Sequence, residues 1–85
     1  YLSVIKPFQL TPNPVNGNGF INIHWDKRRT FKLSMLNVYG EVVWSNVSTN
    51  SNESIPIDLN DFSSGLYFVV LNTNDTQQVL KWIVD

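Results

Sequence analysis

The sequence predicts an all-β fold, a small antiparallel β-sandwich of about seven strands. Three observations carry that expectation. The 85 residues contain no Ala, the best helix former, and 11 Asn, which prefers turns and caps to helix interiors. Val, Ile, Phe, Tyr and Trp supply most of the apolar content, and these side chains suit a pleated, half-buried surface. Short runs of alternating apolar residues recur at regular spacing, separated by Gly, Pro, Asn and Asp clusters.

Element by element, residues 2–10 read as mixed and extended, with Pro7 limiting helix formation. Thr11 to Gly19 holds two Pro, two Gly and three Asn, a strong turn signal. Phe20 to Trp25 alternates, with Ile21, Ile23 and Trp25 on one face and Phe20, Asn22 and His24 on the other. Asp26 to Thr30 reads as a polar turn. Phe31, Leu33 and Met35 form a second alternating strand, and the blurred pattern at Leu36 to Val38 suggests a bulge. Tyr39-Gly40-Glu41 is a tight turn with Gly40 at positive φ, and Val42 to Val47 is the return strand. Ser48 to Ser54 is polar and loop-like. Ile55 to Leu59 is a short strand that Pro56 assigns to an edge. After a turn over Asn60 to Gly65, Leu66 to Leu71 is apolar on both faces, as a central strand is. A turn over Asn72 to Thr76 leads to the last strand, Gln77 to Val84.

Size and charge narrow the function classes. A single domain of 85 residues buries roughly 60–65% of its unfolded surface, enough for one core. The net charge of −1 argues against nucleic acid or an anionic membrane as the main partner. With no Cys, packing alone must stabilise the domain. No run approaches the roughly 20 apolar residues that span a bilayer. The start does not read as a secretory leader, and with Tyr1 in place of Met the chain is expected to be a piece of a longer protein.

The residues offer little chemistry. His24 is the only histidine, so neither a zinc site nor a Ser-His-Asp set can be assembled around it by pattern, and it is expected on the solvent face or in a small hydrogen-bond network. Asp58, Asp61 and Asp75 lie beside turns, where Asp ordinarily caps backbone, and their spacing matches no calcium loop. No Gly-rich phosphate loop is present. Catalytic residues, cofactors and metals are therefore not expected. Lys27-Arg28-Arg29, with Lys32 nearby, reads as a solvated turn, or alternatively as a docking patch for an acidic partner or anionic polysaccharide. Trp25 shares a face with Ile21 and Ile23 and reads as core, whereas Trp44 and Trp82 are candidates for a sugar-stacking platform. The sequons at Asn46, Asn52 and Asn74 are expected by chance in an Asn-rich chain.

The ordered motifs carry more information than any single residue. They are Pro12-Asn13-Pro14 after Leu10, then Leu36-Asn37-Val38-Tyr39-Gly40, then Asp58-Leu59, then Ser64-Gly65-Leu66-Tyr67, and finally Leu80-Lys81-Trp82-Ile83-Val84. In order and spacing the chain resembles the C-terminal sorting domain family of the type IX (Por) secretion system over residues 8–84. Thr11 stands where members often carry Tyr, and the final Asp85 where many carry a basic residue.

The resemblance implies an immunoglobulin-like sandwich at the end of an exported Bacteroidota protein. It implies an address label, not an enzyme, with Pro12, Asn13, Pro14, Gly40, Asp58, Gly65, Tyr67 and Lys81 as sorting-motif positions. The parent would cross the inner membrane by its own signal, and the domain would direct the cargo from the periplasm to an outer-membrane translocon. A sortase-like cysteine protease would then remove the domain, with the cargo released or attached to the cell surface. The last strand is the candidate recognition element, since a terminal strand can present unpaired backbone groups to a partner sheet. Tyr67 is expected to bond back to the preceding loop, as in the tyrosine corner of sandwich folds. The alternative reading is a carbohydrate-binding or adhesin module using Trp44 and Trp82.

Overall fold

The computed structural model describes residues 8–85, apart from the side chain of Asp26. The expected extended segment over residues 2–7 lies outside the described residues. Five strands follow in order: β1 (Phe8–Thr11), β2 (Asn18–Leu36), β3 (Val42–Asp58), β4 (Gly65–Asn72) and β5 (Gln77–Val84). All strand pairs are antiparallel.

Two of these strands are long enough to serve both layers of the sandwich. The first half of β2 pairs with β1 on one side and with Asn52–Asp58 of β3 on the other. Its second half pairs with Val42–Asn50 of β3 and, on the side that β1 has vacated, with β4. β5 then adds to β4. One continuous sheet thus folds over on itself into an immunoglobulin-like sandwich. The Cα envelope is 38 × 27 × 19 Å, and its thin axis suits two layers packed about 10 Å apart.

Among the described residues, six of the seven segments read from the sequence and the end of the first are strand, but β2 and β3 each join two of them, leaving five strands. Asp26 to Thr30 is not a turn, and Ser48 to Ser54 is not a loop: both are strand. They coincide with a register shift between the pairs His24↔Asn52 and Arg29↔Asn50, where four β2 residues oppose Ser51 alone. An odd shift flips one strand's pleat, because side chains alternate with period two. β2 keeps its inward parity, with Ile21, Ile23, Trp25, Phe31, Leu33 and Met35 all buried. In β3 the inward set changes from the even positions Trp44, Asn46 and Ser48 to the odd positions Glu53, Ile55 and Ile57. The polar residues at this corner look like a loop because the strand there is half solvated.

Other expectations hold. A second register shift falls at Met35/Leu36, where the alternation blurs. Pro56 sits on β3, which pairs with β2 alone among the described strands. β4 is central, between β2 and β5. Trp25 is core, as are Phe31, Leu33, Met35, Leu59, Val69, Leu71 and Trp82.

Candidate functional site

The Pro12-Asn13-Pro14 segment and the last strand form one structure. Both X–Pro bonds, Thr11–Pro12 and Asn13–Pro14, are cis. The Asn13 side chain lies along the outer edge of β5 and behaves as a strand's peptide group would. Its Nδ2 donates to the Lys81 carbonyl at 2.9 Å, and its Oδ1 accepts the Ile83 N–H at 3.1 Å. The backbone then takes over. The Val15 N–H donates to the Ile83 carbonyl and the Asp85 N–H to the Val15 carbonyl, both at 2.8 Å, in a parallel bridge between Val15 and Val84. Beneath this clasp, the Trp82 indole Nε1–H donates to the Pro12 carbonyl at 2.7 Å.

Gly19 completes the seat for Trp82. A Cβ on Gly19 would lie 2.5 Å from the indole ring, closer than any real contact, so the ring requires the bare backbone. Sequence reasoning did not single out Gly19, although a Gly inside a strand pattern commonly marks a close approach of this kind. The Leu59 N–H donates to the Gly17 carbonyl at 2.9 Å, which ties the same loop to the end of β3.

Two expectations fail here. The outer edge of β5 is not open along its length: from Lys81 to Asp85 its backbone groups are taken by Asn13 and Val15. Trp82 is fully buried, so it presents no face to a sugar, and the paired platform with Trp44 does not exist. Trp44 itself is half-buried against the core. Lys81 is exposed on the outward face of β5.

The remaining motif positions shape turns. Asn37 organises the β2–β3 turn: its Oδ1 accepts the Tyr39 and Glu41 N–H groups, and its Nδ2 donates to Glu41 Oε1 at 2.8 Å. Gly40 adopts φ +81° in this turn, which favours Gly. Asp58 caps the next turn by accepting the Asn60 N–H and Nδ2. Gly65 has φ +147°, and the Tyr67 hydroxyl donates to the Ser63 carbonyl at 2.8 Å, the expected tyrosine corner.

The polar residues outside the motifs are engaged locally. His24 is exposed and its Nδ1 hydrogen-bonds Asn52 Oδ1 across the β2–β3 pair. Asp75 accepts the Thr73 hydroxyl in the β4–β5 turn. Lys27, Arg28 and Arg29 line an open cleft of about 440 Å³ facing that turn, and the Arg29 guanidinium lies 4.8 Å from the Trp25 ring centroid.

The family model of the secretion system C-terminal sorting domain matches residues 9–85. The chain belongs to the type IX secretion C-terminal sorting domain family. A sorting domain of this kind is a signal recognised by the type IX secretion machinery, and it implies a secreted protein exported across the outer membrane. Among solved structures, this sorting domain is similar to part of dimeric latent PorU from Porphyromonas gingivalis, with a TM-score of 0.69 and 21% identity. That match covers 98% of this chain and 10% of PorU, so the chain spans about a tenth of that protein's length, and the likeness is one of fold. No curated protein matches the sorting domain.

Proposed function

We propose that this domain directs the protein carrying it from the periplasm through the type IX translocon, and that a sortase-like protease then removes it, releasing the cargo or attaching it to the cell surface. The observation that carries the reading is the family match over residues 9–85. The structure supports it through the clasp of Pro12–Val15 on β5, which unites the first and last sorting motifs in one folded feature. Pro12, Asn13, Pro14, Gly40, Asp58, Gly65 and Tyr67 serve by building turns, the clasp and the tyrosine corner, and Lys81 is the charged motif position exposed on the outward face of β5. The domain itself performs no chemistry in this role.

The test is a graft. A periplasmic reporter fused to residues 1–85 should reach the surface or medium of a Bacteroidota host with an intact type IX system, and should stay periplasmic without the domain. Retention of the fused reporter, or equal export in a host lacking the translocon, overturns the proposal.

A further inference from the structure

Closure of the β5 edge from Lys81 to Asp85 leaves the outward face as the accessible part of that stretch. Strand register places the side chains of this face in rows. Val47, Lys32, Asn72 and Gln77 form one row, and Ser45, Ser34, Val70 and Val79 the next. Val42, Leu36, Phe68 and Lys81 form the third, and Leu66 lies opposite Ile83 beyond it. Val47, Val79 and Ile83 are 64%, 53% and 47% exposed, Leu36, Leu66 and Phe68 are half-buried around them, and Val70 is buried between them. The charged residues within these rows are Lys32 and Lys81, and the nearest carboxylate along the strand is Asp85, which follows Ile83 with the same outward parity. Exposed apolar side chains gathered on one face and rimmed by polar residues are a feature of interaction sites.

We infer that this outward face of β4 and β5 is a protein-docking surface whose partner presents an apolar patch edged by carboxylates. The inference rests on the sorting reading, and it assigns recognition to a face of the tail instead of its backbone edge. Charge selects the occupant. A carboxylate of the partner meets Lys81 beside the exposed Val79 and Ile83, and a second meets Lys32. A second copy of this face has only Asp85 to set against its two lysines, fewer opposite charges than a partner edged by carboxylates offers. Two lysines on a chain of net charge −1 are few for an anionic bilayer.

The experiment follows export of the full parent protein in its own cell. Val79→Thr with Ile83→Thr keeps β-branched side chains at exposed positions, and Lys81→Glu reverses the charge. Each should lower the exported fraction roughly tenfold, the effect of losing one strong interface contact, with thermal unfolding unchanged. Lys81→Arg should export normally, as should Phe20→Thr on the outer face of the other layer. Normal export of both face variants, while deletion of the whole domain blocks export, overturns the docking surface and leaves the sorting reading intact. Normal export of the deleted protein overturns the sorting reading itself. Dimerisation of the purified protein that Lys81→Glu abolishes, or binding to phosphatidylglycerol vesicles lost in the same variant, also overturns the assigned partner.

Discussion

Asn13 uses a single side-chain amide to do what a neighbouring strand does with its backbone. It donates to Lys81 and accepts from Ile83, so Ala at this position leaves two backbone groups of β5 to water. Each such bond contributes roughly 0.5–1.5 kcal/mol, with exposed ones toward the low end. Asn13→Ala should therefore lower stability by about 1 kcal/mol in urea unfolding. Gly19→Ala should cost more, about 1–3 kcal/mol, because its methyl group would have to displace the fully buried Trp82. Tyr67→Phe removes the bond to Ser63 and should cost about 1 kcal/mol. These residues differ in how far the sequence discloses them. Tyr67 and Gly40 announce their roles locally, through a turn a few residues away. Asn13 and Trp82 do not, because each finds its partner about 70 positions along the chain.

At the scale of elements, β4 is legible because continuous apolar character reports burial on two faces, β5 because a turn signal sets it off, and β1 only as part of a mixed, extended stretch. The long strands β2 and β3 are legible only in halves. Their middles carry Asp26 to Thr30 and Ser48 to Ser54, polar residues at a corner where the ladder slips by an odd number of residues, and composition alone does not separate such a corner from a turn. The closed edge of β5 is equally hidden, since it depends on a contact between distant segments. It makes a measurable difference along one strand. The Ile83 and Asp85 amides, bonded to Asn13 and Val15, should show strong protection in native-state hydrogen exchange. The Val79 amide has the same outward parity but lies beyond the clasp, and it should exchange much faster. Equal protection at Val79 and Ile83 would contradict this account of the edge.

For the molecule as a whole, the last strand is a structural member as well as the proposed recognition element. β5 contributes Trp82 and Val84 to the core and covers the flank of β4. Loss of a buried Trp alone costs roughly 3–5 kcal/mol, comparable with the entire stability of a domain this small. Deleting residues 77–85 should therefore abolish cooperative thermal unfolding as well as export. A truncated chain that stays in the periplasm reports a missing fold and a missing address together, and only the surface substitutions on β5 separate the two.

The clasp also imposes an order in time. Asn13 meets Lys81 across 68 positions of sequence, so during synthesis the early segment must wait for nearly all 85 residues to emerge before the sandwich can shut. Chains that stop short of β5, or that are cut between the two segments and lose the tail, never assemble the closed form. A receptor that binds the finished face of this domain therefore receives only cargo whose translation has run through the tail.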